Sequence, residues 1–462
     1  MDVVQEKCGV IALFGDDRSA ASTICIGLMA LQHRGQEAAG VAVANGPSIR
    51  LLHGPGLVRE ALDPVDVASL IGARGIGHVR YSTAGAAGGA NSQPIPGLTS
   101  AGTQFALAHN GNLLGVGDAT AQLPDLIRQE SGDSDTRLLV NALAAHHGPS
   151  MADALADVLP TVVGAFSIVV LTPDAIYGAR DPQGFRPLCV GRLGAGWVIA
   201  SETAALDSIG ARLLREVAPG EIIRIDGAGL TSSGYADPAP ALCVFEHIYF
   251  ARQDSLLGGR RVQQVRRALG TALAMEAPAV GDVVMPVPET ARPAAAGFAA
   301  ASGIHYEEGL VRNPYVGRTF ISPGNRERQR AISLKINVIP EVVEGKRVIV
   351  VDDSIVRSNS AQAVVAMLRA AGASEVHLRI SSPPIRWPCF FGVDMSRPGE
   401  IAAAHRMITE VRDLVGADSL GYLSVDALTD AVGTAGICTG CFTGDYPVDI
   451  HAGNRDAGLA TV

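Results

Sequence analysis

The chain has 462 residues, 47% hydrophobic and 18% charged, with 53 glycines and 26 prolines spread along it and a formal charge of −9. That length exceeds one ordinary core and predicts two domains of unequal size with a tail, while the composition excludes a disordered or fibrous chain and fits an α/β enzyme. Scattered acids without a Lys/Arg stripe argue against a nucleic-acid partner, and the lack of an apolar leader or of 18 consecutive apolar residues argues against a membrane and for a cytoplasmic protein.

Taken in chain order, residues 20–32 carry a helical pattern, and short β-branched runs at 166–171 and 197–200, broken by Gly/Pro turns, predict layered sheets and helices up to about residue 240. The prolines at 237–241 suit a linker. From about 260 to 400, apolar strands at 282–285, 347–351 and 375–380 alternate with helical stretches, as in a parallel sheet of βα units. Ala361, Val364, Val365 and Leu368 mark the buried face of the helix after the middle strand, and Gly372 is placed to stop it. Seven cysteines are too few for a disulfide scaffold, so each needs a chemical or packing reason.

Cys8, alone, reads as a buried thiol before an apolar run. Four later segments change that reading: L-Q-H-R-G-Q-E at 31–37, G-H-V-R-Y-S-T-A at 77–84, A-H-N-G-N-L at 108–113 and G-D-S-D-T at 132–136. With C-G-V at 8–10, this ordered set resembles the N-terminal-nucleophile glutaminase domain of glutamine amidotransferases, over most of the first 240 residues. The resemblance implies an αββα sandwich in which Cys8, freed of residues 1–7, attacks glutamine and its own α-amino group acts as base. It further implies an oxyanion hole from the Asn110 side chain and the Gly111 N–H, and glutamine binding by Arg80 and Asp135 with Arg34 and Thr83 nearby. Arg137 stands where many relatives carry an acid, and no role is assigned to it. The stretch D-P-Q-G-F-R-P-L at 181–188 also matches, as a structural or interface segment.

Residues 350–360 read V-V-D-D-S-I-V-R-S-N-S between a predicted strand and a helix. Such a loop is either a turn with a capped helix or a site for a phosphorylated sugar. In the second case Asp352 and Asp353 hold ribose hydroxyls and Mg²⁺, while Ser354, Ser358, Ser360 and backbone N–H groups cradle the 5′-phosphate. The flanks V-G-R-T-F-I at 316–321 and S-S-P-P-I-R-W-P-C-F-F-G at 381–392 resemble the amidophosphoribosyltransferase family, which implies a type I phosphoribosyltransferase domain binding phosphoribosyl pyrophosphate (PRPP), with Thr290 and Lys335 in the site and 321–337 as a lid. The site also departs from that family. Ser358 and Ser360 replace Gly and Thr, the segment 288–293 reads P-E-T-A-R-P instead of P-E-S-G-T-P, and Ser333 stands where an arginine is usual.

Cys243, Cys389, Cys438 and Cys441 form a third set. The residues alone leave a redox pair, zinc and an iron–sulfur cluster open, zinc being the commoner reading of C-x-x-C. The family resemblance implies one [4Fe–4S] cluster. Cys25 and Cys189 read as core residues. The expected organisation is a leader at 1–7, a glutaminase domain at 8–242, a phosphoribosyltransferase domain at 243–400 and a helical tail at 401–462. The implied reaction makes 5-phosphoribosylamine, pyrophosphate and glutamate from PRPP and glutamine, in a homo-oligomeric tetramer or dimer. The alternatives are a transferase with a changed acceptor in specialised metabolism, or a second domain reduced to phosphoribosyl binding.

Overall fold

The structure, a computed structural model, describes residues 8–15, 19–81, 92–116, 134–313, 315, 335–395 and 398–450. Its first half is built from thirteen antiparallel strands among the described residues: β1 (Gly9–Phe14), β2 (Ala38–Asn45), β3 (Ser48–Pro55), β4 (Arg74–Arg80), β5 (Ile95–Leu98), β6 (Gln104–Val116), β7 (Val162–Leu171), β8 (Ile176–Arg180), β9 (Cys189–Leu193), β10 (Gly196–Ala200), β11 (Arg212–Glu216), β12 (Glu221–Asp226) and β13 (Gly229–Gly234). They form one sheet in the order β11-β9-β10-β1-β4-β2-β3 and another in the order β13-β12-β8-β7-β6-β5.

Strand alternation decides which core each residue enters. Val10 and Ala12 of β1 point between the two sheets, where they meet Ala106 and Ala108 of β6 and Val169 of β7. Ile11 and Leu13 point outward under helix α1 (Ala20–Ala30), packing on Ile24 and Leu28. Helices α2 (Asp135–Ala145) and α3 (Met151–Val158) cover the other sheet through Leu139, Leu143 and Leu155. The result is the αββα sandwich. Because both faces of each sheet are covered, the central strands read as unbroken apolar runs rather than as alternating ones.

The second half holds a parallel sheet in the order β15 (Val283–Pro286), β16 (Arg347–Asp352), β17 (Glu375–Ile380), β18 (Ser419–Tyr422), with helices on both faces. On one face α4 (Val262–Glu276) and α5 (Arg292–Ser302) pack against Val284, Ile349 and Val351. On the other, α6 (Asn359–Ala370) and α7 (Ile408–Val415) pack against Met285, Val350 and Leu378. Helix α6 buries Ala361, Val364, Val365 and Leu368, and Gly372 follows its C-cap with φ +91°. The segment after residue 400, read from sequence as helical, also contributes the edge strand β18. Its last described elements are α8 (Val425–Val432), β19 (Ile437–Cys438) and α9 (Gly440–Thr443). The two-residue strand β14 (Leu242–Cys243) pairs in parallel with β19, placing Cys243 beside Cys438. No helix among the described residues is long and apolar enough to cross a membrane.

Candidate active sites

Cys8 stands half-buried at the entry to β1, its Sγ 3.8 Å from the carbonyl oxygen of Tyr81, the residue after β4. Asn110 and Gly111 lie on β6, held in place by hydrogen bonds on both sides. Gln93 Oε1 accepts from the His109 N–H at 2.7 Å, and His109 Nδ1 lies 3.1 Å from Thr136 Oγ1. His78 Nε2 is 3.1 Å from the His109 carbonyl oxygen and ties β4 to β6. Burial lowers the His78 pKa to about 3, so the ring is neutral near pH 7 and Nε2 donates in that bond.

Asn110 is fully buried, yet neither its Nδ2 nor its Oδ1 has a hydrogen-bond partner among the described residues. Leaving a buried amide unpaired costs about 1–3 kcal/mol, which a ligand oxygen would recover. Gly111 is required by space, since a Cβ there would lie 1.9 Å from the Ala165 carbonyl oxygen. Replacing Asn110 with alanine is expected to lower glutamine-dependent turnover about 10²–10³-fold with little change in glutamine KM, as measured by steady-state glutamate release.

Ser134 caps α2 by accepting from the Arg137 N–H at 3.3 Å, which sets Asp135 at the first helical position. There Asp135 Oδ2 accepts from Leu113 N at 3.0 Å and Oδ1 from Thr136 N at 2.7 Å, and its side chain stays one-third exposed. Arg80 ends β4 one residue before Tyr81; it is 8% exposed, and its carbonyl oxygen accepts from the Glu37 N–H at 3.0 Å. Thr83 lies outside the described residues.

Arg34 is placed otherwise than a glutamine ligand would be. Its guanidinium is buried and bound on every side: to Glu202, to Glu246 at 2.7 and 3.0 Å, and through Nε to the Cys8 carbonyl oxygen at 3.3 Å. It therefore holds the backbone of Cys8, with its guanidinium already paired to two carboxylates. Glu246 in turn binds Arg186 at 3.1 Å, and the other arm of Arg186 donates to the Phe391 carbonyl oxygen at 2.9 Å. Glu202 accepts from the Arg252 N–H at 2.9 Å and Ser255 Oγ at 2.7 Å, and pairs with His33 at 2.7 Å. Burial pushes the Glu202 carboxyl up, but His33 and Arg34 overcome it and hold the group below the usual carboxylate range. Sequence reasoning missed Glu202 and Glu246, and Arg186 stood in the 181–188 segment without a role of its own.

At the second site, Asp352 ends β16 and Asp353 follows it. Both oxygens of Asp353 accept hydroxyl hydrogen bonds, from Ser354 at 2.7 Å and from Thr290. Asp352 Oδ1 accepts from the Asp353 N–H at 2.9 Å. Burial, and for Asp352 also the neighbouring Asp353 charge, raises both carboxyls above the usual range. Ser358 precedes α6, and its hydroxyl accepts from Gln362 Nε2 at 3.0 Å. The Ser360 hydroxyl is buried without a partner among the described residues. Lys335 is placed by its carbonyl, which accepts from the Asn313 N–H at 2.8 Å; Ser333 and most of 321–337 lie outside the described residues. Arg292 opens α5 and is neutralised by Glu289 at 2.7 Å and Glu308 at 3.1 Å.

All seven cysteines are free thiols. Cys243, Cys389, Cys438 and Cys441 come together at the junction of β14, β19 and α9, where Cys243 and Cys389 act electrostatically on both Cys438 and Cys441. Burial first, and then the neighbouring sulfurs, raises Cys438 and Cys441 above the ordinary thiol range, and burial raises Cys243 to about 11. Among the described residues no group of three His, Cys, Asp or Glu side chains is close enough to hold a metal ion. Cys25 and Cys189 are buried among apolar neighbours.

A glutamine amidotransferase domain family matches residues 78–208. The chain is 46% identical to the amidophosphoribosyltransferase of Mycobacterium bovis across 96% of this chain and 87% of that one. It is 42% identical to that of Methanothermobacter thermautotrophicus across 97% and 96%. It is also similar to a solved glutamine PRPP amidotransferase from B. subtilis complexed with ADP and GMP, with a TM-score of 0.88, 40% identity and coverage of 96% and 98%. A solved structure described as the allosteric regulatory enzyme of purine biosynthesis matches with a TM-score of 0.89 and 41% identity, covering 96% of this chain and 97% of that one.

Proposed function

The chain belongs to the amidophosphoribosyltransferases, and from that premise we propose how its residues divide the work. It is a glutamine-dependent pentosyltransferase that makes 5-phosphoribosylamine, pyrophosphate and glutamate from PRPP and glutamine, the first step of purine synthesis. Residues 8–242 are assigned to glutamine hydrolysis, 243–400 to phosphoribosyl transfer and 401–462 to closing the cysteine site.

The observation that carries the glutaminase assignment is the buried, unpartnered Asn110 carboxamide on the strand joined to the Cys8 side by His78. Cys8 attacks the glutamine amide, Asn110 Nδ2 and the Gly111 N–H receive the oxyanion, and ammonia leaves with formation of the thioester. Arg80 pairs with the substrate carboxylate and Asp135 with its ammonium, with Thr83 completing that pocket. Arg34 is reassigned to positioning Cys8. Asp352, Asp353, Thr290, Ser354, Ser358, Ser360 and Lys335 form the PRPP site, where ammonia displaces pyrophosphate at C1 with inversion. Mg²⁺ suits Asp352 and Asp353, since a cation would relieve the charge that burial opposes, and it would neutralise the leaving pyrophosphate.

The four thiols fit a [4Fe–4S] cluster. A metal–sulfur group would take them as thiolates, which offsets the cost that burial sets on the charged form. Their role is structural, tying Cys243 to the C-terminal segment. A cytoplasmic homo-oligomer, a tetramer or dimer, completes the reading.

The test is anaerobic pyrophosphate release from PRPP and Mg²⁺, with glutamine and then with ammonia as nitrogen source. Release with both is expected. Glutamine hydrolysis without pyrophosphate would mean that Arg292 and the altered 288–293 segment serve another acceptor.

A further inference from the structure

Two separate contacts from one short segment reach the two halves of the glutaminase site. Asn112, next to Gly111 on β6, donates through Nδ2 to the Phe390 carbonyl oxygen at 2.9 Å. The next carbonyl along, that of Phe391, accepts from Arg186, which binds Glu246, which binds Arg34, which binds the Cys8 carbonyl. Arg186, Glu246 and Arg34 are all at most 1% exposed, so no solvent path relaxes this chain of bonds. Phe391 also stacks on Phe185 with centroids 4.2 Å apart, which fixes the segment against the sandwich. Immediately before these residues stands Cys389, one of the four converging thiols.

We propose that residues 389–391 are a strut that sets the oxyanion strand and the nucleophile from the cysteine site, with Asn112 and Arg186 as its positioning residues. The proposal rests on the assignment of Cys8, Asn110 and Gly111 to the glutaminase site and of Cys389 to the cluster. A cluster fixes Cys389 Sγ. Through two residues of backbone that constraint reaches the carbonyls of Phe390 and Phe391, and from them it reaches Asn112 on one branch and Arg186 on the other. Oxyanion stabilisation depends on donor placement within tenths of an ångström, so relaxing the strut weakens the transition state more than substrate binding. The phosphoribosyl loop at 352–360 receives neither branch.

The experiment uses the full-length, anaerobically prepared protein and two variants, Asn112→Ala and the isosteric Asn112→Asp, which cannot donate. Both variants are expected to lose about 10–100-fold in glutamine kcat with KM held within about twofold. Ammonia-dependent pyrophosphate release and the visible iron–sulfur absorbance should be unchanged. A second readout is independent of turnover: the rate at which a diazoketone glutamine analogue alkylates Cys8, followed by intact mass. Removing iron with a chelator should slow this labelling in the parent protein but not slow it further in Asn112→Ala, because the two perturbations act on one path. Equal labelling rates in the parent protein before and after verified iron loss would overturn the proposal, as would Asn112 variants with parental glutamine kcat. Absence of iron absorbance from the prepared protein would instead sink the cluster assignment, leaving the Asn112 variants as the test of the strut.

Discussion

Cys8→Ala is expected to abolish glutamine-dependent pyrophosphate release, by about 10⁴-fold or more, while ammonia-dependent release stays within about twofold. The size follows from the absence of a second thiol to take over. Cys25 and Cys189 are sealed among apolar side chains, with burial raising Cys25 to about 11 and Cys189 further still, and the other four thiols are gathered at the junction of β14, β19 and α9. The selectivity follows from architecture, since the acids at 352 and 353 sit on a different sheet from Cys8. Parallel assays of glutamine-fed and ammonia-fed enzyme check it. Loss of both activities would mean that Cys8 acts on the phosphoribosyl site, and retention of both would remove it as nucleophile.

The second large effect joins activity to stability. Asp352→Asn is expected to lower pyrophosphate release by at least about 10³-fold while raising the melting temperature of the metal-free protein. The sign comes from the raised carboxyl pKa of the pair. A group whose folded pKa is raised contributes stability that is fully present below its unfolded value, about 3.9, and lost as pH climbs through the folded pKa. Near pH 7 the pair therefore opposes folding unless a cation compensates it. Removing one charge should therefore stabilise the metal-free protein at neutral pH. Thermal melts at low and neutral pH, with and without Mg²⁺, measure this. The variant's advantage should shrink as pH falls, and the Mg²⁺ response of the parent should weaken in the variant. A variant that melts lower than the parent at neutral pH without metal would contradict the argument.

Motif-bearing loops stood out in the sequence because their residues follow neither the strand nor the helix period. Cys8 with its ordered company and the D-D-S loop after a strand could be placed on elements before any coordinates, and the strand at residues 375–380 and the buried face of α6 followed from period alone. Arg34 shows the limit. Its type and its motif suggested a carboxylate partner, and it has two, but they are Glu202 and Glu246, which lie 168 and 212 residues away. A local reading cannot tell a substrate carboxylate from a side-chain one. Strand β18 was equally hidden, since Ser419–Tyr422 carries a glycine and only intermediate burial and becomes a strand by pairing with β17. Asn112 stood inside the A-H-N-G-N-L segment without a role of its own until Phe390, 278 positions on, supplied its acceptor.

The four thiols impose an order on the making of the molecule. Cys243 and Cys441 are 198 positions apart, since 441 − 243 = 198, and β14 has no partner until Ile437 and Cys438 exist. At translation rates of about 5–20 residues per second, the first thiol waits roughly 10–40 s for the last. The glutaminase sandwich can thus leave the ribosome and pack while this lock is still unmade, and no nascent chain shorter than 441 residues, however well folded in front, carries the complete set of four.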